Sequence, residues 1–299
     1  LLKDMVAQHN IQITTDNCLV AKSDIIVLAI KPQFYEVVIK QIKDIVSDNQ
    51  IIITIAPGKT LEWLREQFGK ELKIVRTMPN TPALIGEGVT GVCTNSNITE
   101  DDLHKVLGIL EGIGMAEIVS ENLMDVVTAV SGSSPAYVYM FIEAMADGAV
   151  ADGMPRDKAY KFAAQAVMGS AKMVLETGKH PGELKDMVCS PGGTTIEAVR
   201  VLEEKGLRSA VIEAMNCFLL RNLLYFLFLR IYHVPVHHSV TDMFWSMYGH
   251  VPEVQHQYHI YPLMVLTVFL KPFRQNLNDH ILIHKYPDGT LQLSILHLD

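Results

Sequence analysis

The sequence lacks the features that mark several large classes of protein. Its four cysteines are scattered along 299 residues without CxxC spacing, which indicates a reducing compartment, the cytoplasm, rather than a disulfide framework. Acidic residues outnumber basic ones by 33 to 25, and no basic block interrupts that excess. Nucleic acid is therefore not an expected partner.

Long apolar runs and metal-ligand patterns are also scarce. The most apolar stretch, residues 218–233, contains Arg221, Asn222 and Arg230, whereas a membrane-spanning helix needs about 20 predominantly apolar residues in succession. Nine of the twelve histidines lie beyond residue 230, but neither cysteines nor regularly spaced carboxylates accompany them. We predict neither a membrane segment nor a metal site.

Residues 1–120 have the pattern of an α/β domain. Short runs rich in isoleucine and valine are typical of buried parallel strands, and the amphipathic stretches between them are long enough for crossover helices. The predicted strands are 11–14, 25–30, 51–55, 74–75 and 91–94, and the predicted helices are 1–8, 34–46, 61–68 and 100–111. These elements predict a parallel sheet with right-handed crossovers.

Each of the three central predicted strands is followed by a loop suited to backbone exposure. Lys31 and Pro32 follow the first strand, residues 56–58 follow the second, and residues 76–82 follow the third. Ligands of open α/β sheets lie outside the carboxyl ends of the strands. One such loop would usually only terminate a strand, but three together favour a flat dinucleotide lying across them.

Residues 121–215 are predicted to be helical. A break at 131–135 leads into a nearly charge-free helix, with Pro135 at its first position and Ser134 as its cap. Gly153 and Gly178 are predicted to end two successive helices in left-handed turns. A helix that is apolar on nearly every side must be buried, either inside a large domain or against a second subunit, and we expect a subunit interface here.

The segment 190–197, with two adjacent glycines, is predicted to open a further helix. Thr194 and Glu197 have the spacing of a capping box. The first backbone N–H groups of a helix are unpaired and its dipole favours an anion, so this turn suits a small carboxylate. An ordinary capped helix is the alternative that the pattern alone leaves open.

The distribution of basic residues bears on the type of reaction. No Lys, Arg or His occurs between Lys105 and Arg156. Oxidation of a hydroxy acid needs a base near the nicotinamide, and the central helix has none to offer. Reduction of a C=N bond is less demanding, because the imine nitrogen takes up a proton near neutral pH and hydroxyls suffice to position it. The sequence therefore favours imine reduction, with a hydroxy-acid dehydrogenase-like oxidoreductase as an alternative.

Several motifs together resemble one family. They are Thr128, 131–137, 147–148, 153–155, 180–182, 185–186 and 190–195. From Leu1 to about Met215 the chain resembles pyrroline-5-carboxylate reductase, which makes L-proline by reducing the cyclic imine 1-pyrroline-5-carboxylate. The resemblance implies a Rossmann-like dinucleotide-binding domain over 1–120, an all-helical dimerisation and substrate domain over 121–215, and a homodimer or a higher oligomer of dimers. The implied cofactor is NADPH, with NADH as an alternative.

The resemblance also implies roles for individual residues. Thr128 and Thr195 are the implied catalytic hydroxyls, and the implied substrate contacts are Glu121, Ser190, Thr194 and Thr195. The implied cofactor contacts are Asn17, Ala29, Ile30, Lys31, Pro32, Ile55, Ala56, Pro57, Asn80 and Thr81. Without the resemblance, Thr128 would be interpreted as a helix threonine bonded to its own turn, and Glu121 as a first-turn partner of the helix dipole. Met187 stands where many family members carry an Asn that reaches the cofactor, so that contact is expected to be lost.

Two departures from the family pattern are expected to matter. The first βαβ unit and its glycine-rich turn have no counterpart, and Leu1 matches a position about forty residues into the usual chain. The strand predicted at 25–30 is therefore expected to have an unpaired edge. Residues 216–299 do not match the family, and we predict that they are poorly ordered. A non-catalytic fragment that retains only the dimerisation module is the alternative function.

Overall fold

The computed structural model describes residues 12–232, 280–285 and 291–296. The chain divides into two compact units, the first formed by Leu1–Gly132 with Asn222–Asp299 and the second by Ser133–Arg221. The first boundary thus lies between residues 132 and 133, whereas the sequence predicted one between 120 and 121. The predicted helix at 1–8 lies outside the described residues.

The first unit is built on an eight-stranded sheet with helices. The strands are β1 (Gln12–Thr14), β2 (Ile25–Leu28), β3 (Ile51–Thr54), β4 (Lys73–Met78), β5 (Gly88–Thr94), β6 (Gly114–Ile118), β7 (His280–Lys285) and β8 (Leu291–Leu296). The helices are α1 (Asn17–Val20), α2 (Tyr35–Ile42), α3 (Leu61–Phe68), α4 (Glu100–Glu111) and α5 (Met124–Val127). Three 3-10 turns cover Pro32–Phe34, Thr81–Ile85 and Glu121–Leu123, and a π turn covers Thr128–Gly132.

The sheet is predominantly parallel at its centre and mixed elsewhere. Its strand order is β1-β7-β8-β2-β3-β4-β5-β6. β2, β3 and β4 are parallel neighbours, as their isoleucine-rich sequences predicted. β5 runs antiparallel to β4, because residues 79–87 are too few for the crossover of a dozen or more residues that a parallel pair requires.

The expectation that β2 has an unpaired edge is wrong. Three residues of β2, Ile25 to Val27, pair in antiparallel register with β8. β8 pairs antiparallel with β7, and β7 lies parallel to β1. A row of free backbone N–H and C=O groups is satisfied by any strand that can reach it. Both strands lie in the tail from residue 216, for which poor order stays a prediction.

The core of the first unit lies on both faces of the three parallel strands. Ile26, Ile52 and Ile74 are neighbours across the sheet and are fully buried on the face covered by α2 and α3. On the opposite face, Ile53 and Val75 pack with apolar side chains of α4. Burying each such side chain contributes about 1.5–3 kcal/mol, so these strands anchor the unit.

Helices α3 and α4 begin and end at the residues that the sequence predicted. Thr60 Oγ1 accepts a hydrogen bond from Trp63 N at 3.0 Å, and Gly69 ends α3 in a left-handed conformation. At α4, Thr99 and Asp102 form a capping box, and Lys73 of β4 lies 2.8 Å from the Asp102 carboxylate. Burial raises the pKa of Asp102, but hydrogen bonds from Lys73 and Thr99 outweigh it and hold that pKa at about 2.

Two glycines meet where β5 and β6 begin. Gly114 has φ 138°, and a Cβ placed on it would lie 2.0 Å from Gly88 O. A Cβ on Gly88 would lie 2.8 Å from Ile113 O. The two strands approach this closely because neither residue has a side chain. β6 itself was not among the predicted strands.

The second unit is helical. It contains α6 (Ser134–Ala151), α7 (Arg156–Thr177), α8 (Pro181–Val188), α9 (Thr194–Glu204) and the first part of α10 (Leu207–Tyr232). Gly153 and Gly178 have φ of 95° and 62° at the ends of α6 and α7, which confirms the predicted left-handed turns. α6 begins one residue before the predicted Pro135, so the prediction that Ser134 caps it is wrong. Ser133 stands at the cap in a helical conformation and makes no side-chain capping bond, since such a bond needs extended backbone.

Many large apolar side chains of the second unit are exposed among the residues that the structure describes. α6 and α7 pack through Ala146, Ala159 and Ala163, which are buried. Large side chains point outward instead, and Phe162 and Leu175 are 67% and 74% exposed. The sequence predicted that the apolar helix is buried either inside its own domain or against a second subunit. The described residues of this unit do not bury it inside the domain. Among the helices in the described residues, none has both the length and the apolar character needed to cross a membrane.

Candidate active site

The carboxyl ends of β2, β3 and β4 lie at one edge of the sheet. Tyr35 joins two of them, because its hydroxyl donates to Leu28 O at 2.6 Å and lies 2.7 Å from Thr54 Oγ1. Thr77 Oγ1 of β4 donates to Thr54 O at 2.9 Å. Burial raises the pKa of Tyr35 well above its ordinary value, so the phenol stays protonated as a donor. These bonds fix the three strand ends relative to one another.

The predicted cofactor contacts after β2 and β3 lie at this edge, and they differ in solvent exposure. The buried group consists of Ala29, Ile30 and Ala56, and the accessible group of Lys31, Pro32, Ile55 and Pro57. Gly58 then takes a left-handed conformation, with φ 73°, and turns the chain toward α3. Small buried residues beneath accessible backbone suit a flat ligand, and Lys31 supplies a positive charge beside it. The residues present thus fit part of a nicotinamide dinucleotide.

Asn17, one of the implied cofactor contacts, lies in a buried position. It begins α1, and its Nδ2 donates to Gln41 Oε1 of α2 at 2.6 Å. The amide therefore links two helices.

Asn80, in the loop after β4, connects two other segments. Its Oδ1 accepts from Val89 N at 2.9 Å, and its Nδ2 donates to Ser131 O at 3.1 Å. Thr81 begins the adjacent 3-10 turn and is partly exposed. Asn80 thus holds the loop after β4 against the π turn, while Thr81 remains accessible.

Thr128 lies at the start of that π turn. Its Oγ1 donates to Met124 O at 2.8 Å, and the side chain is buried. This is the bond expected if Thr128 is a helix threonine bonded to its own turn. The oxygen still has lone-pair capacity to accept a hydrogen bond. π turns inside helices occur frequently at functional sites.

Glu121 is the partner of a buried cation in this structure. Its Oε1 accepts from Leu61 N at 2.7 Å and from Arg76 Nη1 at 3.0 Å. Arg76 lies within β4 and is 5% exposed, and its Nη2 is 3.9 Å from Asp125 Oδ1. The carboxylate predicted to contact substrate therefore joins β4, the start of α3 and its own turn.

Cys93 lies opposite Arg76 in the pairing of β5 with β4. Burial, and then the Glu121 carboxylate, raise the pKa of Cys93 to about 11, against a smaller opposing effect of Arg76. The thiol is therefore protonated at neutral pH and is not a nucleophile.

In the second unit, a glycine turn opens α9 as the sequence predicted. Gly192 has φ 67°, and Gly193 N donates to Ser190 O at 3.0 Å, which closes the turn. The predicted capping box is wrong. Gly193, which has no side chain, is the N-cap, and Glu197 lies too far into the helix and accepts instead from Arg200 Nε at 2.9 Å.

The first amides of α9 are available to a ligand. Thr194 is exposed and Thr195 partly exposed. Within the part of the chain that the structure describes, neither backbone N–H donates to a protein group. Unpaired amides at a helix start, together with the helix dipole, favour an anion, and Ser190 lies in the turn that precedes them. Met187 is exposed on the preceding helix.

The predicted residues therefore form two groups. The first unit gathers the three loops at the sheet edge and ties the segment carrying Glu121 and Thr128 to β4. The second unit gathers Ser190, Thr194 and Thr195 at one helix start. No role was predicted for Arg76 or Tyr35, although a charged residue directly after the apolar pair Ile74 and Val75 is a signal that could have identified Arg76. Among the described residues, no group of three His, Cys, Asp or Glu side chains can hold a metal ion.

Comparisons with known proteins agree with this layout. Residues 121–222 match the family model described as pyrroline-5-carboxylate reductase dimerisation, and residues 2–58 match the model described as NADP oxidoreductase, coenzyme F420-dependent. The first model thus matches helical residues, and the second matches a segment that includes strands of the sheet.

Individual relatives extend the agreement over most of the chain. The solved pyrroline-5-carboxylate reductase of Coxiella burnetii has a TM-score of 0.70 at 34% identity, covering 74% of this chain and 83% of that one. The pyrroline carboxylate reductase of Plasmodium falciparum, solved with NADP bound, has a TM-score of 0.64 at 36% identity, covering 69% and 78%. Pyrroline-5-carboxylate reductase of Escherichia coli strain K12 is 60% identical over 194 residues, which are 65% of this chain and 72% of that protein. The chain therefore belongs to the pyrroline-5-carboxylate reductase family of nicotinamide-dependent oxidoreductases.

Proposed function

We propose that this protein reduces 1-pyrroline-5-carboxylate to L-proline with NADPH, the last step of proline biosynthesis. The observation that carries the proposal is the open start of α9, where the Thr194 and Thr195 amides face no protein acceptor among the described residues. A ring acid with one carboxylate matches that end in charge. The family membership of the chain supports the same assignment.

The substrate carboxylate binds at α9 in this proposal. The Thr194 and Thr195 N–H groups donate to its oxygens, and the Thr195 hydroxyl reaches the ring nitrogen. Ser190, whose carbonyl closes the turn 3.0 Å from Gly193 N, lies beside the same end. Hydrogen bonds between an ionised group and backbone donors are roughly twice as strong as neutral ones, so this helix start fixes the orientation of the ring.

The protonated imine needs an acceptor for its N–H rather than a base. Thr128 is suited to that role, because its proton is already donated to Met124 O and its oxygen remains an acceptor. Glu121 is a further proposed contact to the substrate. Since its Oε1 is engaged by Leu61 N and Arg76, that contact uses Oε2.

The cofactor lies across the loops after β2, β3 and β4, against the accessible residues Lys31, Pro32 and Pro57 and beside Thr81. When bound, NADPH supplies the hydride that reduces the C=N carbon. Preference for NADPH over NADH is proposed because the relative from Plasmodium falciparum was solved with NADP. Asn17 and Asn80 contribute by ordering the helices and the loop around the dinucleotide.

The protein acts as a homodimer or as a higher oligomer of dimers in this proposal. The support is the row of large exposed side chains on the second unit, including Phe162 and Leu175, which a soluble monomer rarely displays. The cytoplasm is the proposed compartment, because none of the four cysteines is in a disulfide.

Oxidation of NADPH in the presence of 1-pyrroline-5-carboxylate tests the proposal. The unmodified chain is expected to form L-proline, identified by mass. Thr195→Ala is expected to lower kcat/KM about 10- to 100-fold, because a hydrogen bond to a charged group is lost. Thr195→Ser, which keeps the hydroxyl, is the matched control and retains most of the activity. A folded dimer that forms no proline would overturn the proposal and favour a non-catalytic dimerisation module.

A further inference from the structure

The Glu121 carboxylate joins three segments of the first unit. Arg76 Nη1 reaches it from β4 at 3.0 Å, and Leu61 N reaches it from the start of α3 at 2.7 Å. The third segment is its own, which continues through α5 to Thr128. One carboxylate thus links the end of the loop that follows β3 with the segment that carries the Thr128 hydroxyl.

The far end of that segment is tied to the same strand. Asn80, two residues beyond the end of β4, donates to Ser131 O at 3.1 Å and is itself fixed by Val89 N at 2.9 Å. Segment 121–132 therefore has one attachment to β4 at its start and another to the loop after β4 at its end. Thr128 lies between the two.

The attachment at Arg76 is a buried ion pair. Arg76 is 5% exposed, and a guanidinium does not lose its proton in proteins. The charged groups around it are the carboxylates of Glu121 at 3.0 Å and Asp125 at 3.9 Å, and the neighbouring Cys93 thiol is neutral. The buried cation thus makes one hydrogen bond to the segment, at Glu121, and has a second carboxylate of the same segment within 3.9 Å.

We propose that Arg76 is a positioning residue for the imine reduction proposed above. Through Glu121 it fixes Thr128 Oγ1 relative to the loops after β3 and β4, on which the proposed dinucleotide lies. The effect falls on the chemical step, because a displacement of about 1 Å can lower a rate on the order of 100-fold. Binding of NADPH depends on the loops themselves and is largely unaffected.

Two variants that both carry Glu121→Gln, one of them with Arg76→Met in addition, isolate the contribution of Arg76. Glu121→Gln keeps an oxygen that can accept from both Leu61 N and Arg76. Adding Arg76→Met removes the tie to β4 without leaving a buried charge unpaired, and an unpaired charge is the usual reason that such variants fail to fold. Glu121→Gln serves as the reference, and we expect the double variant to have a kcat about 10- to 100-fold lower than that of Glu121→Gln, with the same KM for NADPH. Equal activity of the two variants would overturn the proposal and assign the effect to a direct contact of Glu121.

Hydrogen exchange measured by mass spectrometry gives a second readout that does not depend on turnover. In the double variant, amides of residues 121–132 are expected to exchange faster than in Glu121→Gln, while amides of β3 are unchanged. Unchanged exchange at 121–132 would contradict the positioning role even if the unmodified protein formed no proline. Absence of proline formation with the expected exchange pattern would instead count against the proposed function alone.

Discussion

The sheet unit and the helical unit differ in how far they bury their large apolar side chains. In the sheet, Ile26, Ile52 and Ile74 are fully buried by helices of the same chain. In the helical unit the buried apolar residues are alanines, and Phe162 and Leu175 are mostly exposed. The difference teaches that the first unit buries its large apolar side chains within one chain, whereas the described residues of the second unit leave theirs exposed.

The largest expected effect comes from truncating a buried side chain in the sheet. Ile52→Ala is expected to lower the free energy of unfolding by about 2–5 kcal/mol, because a fully buried side chain leaves a cavity between neighbouring strands. Ile85→Ala, at a position that is 76% exposed, should change stability by less than about 0.5 kcal/mol. Urea denaturation at several protein concentrations measures both. A cost for Ile52→Ala that shrinks as protein concentration rises would contradict an intrachain core.

A charge on the helical unit should affect assembly instead of the core. Phe162→Glu is expected to weaken the dimer by about 2 kcal/mol or more, since truncating a buried aromatic anchor in an interface has that effect. Lys161→Gln, at the exposed neighbouring position, changes the net charge by the same amount and should leave assembly intact. Light scattering after size exclusion, across a dilution series, measures the dissociation. A monodisperse monomer of the unmodified chain would refute the proposal that a second subunit covers this surface.

The smallest expected effect concerns the ion pair that links α4 to β4. The pKa of Asp102 is about 2 in the folded protein and 3.8 ordinarily, so the folded state favours the charged carboxylate. The stabilisation is therefore present above about pH 4 and is lost as the pH falls toward 2. Asp102→Asn should cost about 1 kcal/mol at pH 7, less as the pH is lowered below 4, and Asp101→Asn should cost little. Urea midpoints between pH 7 and pH 3.5 test this, and a constant deficit would contradict it.

Local sequence was sufficient wherever local chemistry decides the structure. The limits of α3 follow from Thr60 as the cap and Gly69 as the left-handed end, and both are visible in the sequence. The buried strands β2 and β3 are visible as isoleucine runs. The turn that opens α9 is visible in its adjacent glycines, Gly192 and Gly193.

Features that depend on distant residues were not predictable in the same way. The pairing of β2 with β8 joins residues that lie more than 260 positions apart, and nothing in either strand specifies the other. The bond between Arg76 and Glu121 spans 45 residues, so a side chain assigned to substrate from resemblance proved to hold an internal cation as well. Ser134 failed as a predicted cap because the backbone before α6 is already helical at Ser133, which composition does not reveal.

The contact between Gly88 and Gly114 limits how this part of the protein can change over generations. A side chain at Gly114 would collide with the Gly88 carbonyl, and one at Gly88 would collide with the Ile113 carbonyl. A Cβ on Gly88 would also lie 2.6 Å from the Ala83 Cβ, but main-chain atoms obstruct both positions, so no second mutation nearby makes room. Both codons are therefore confined to glycine for as long as β5 and β6 stay paired, whatever happens to the reaction that the protein catalyses.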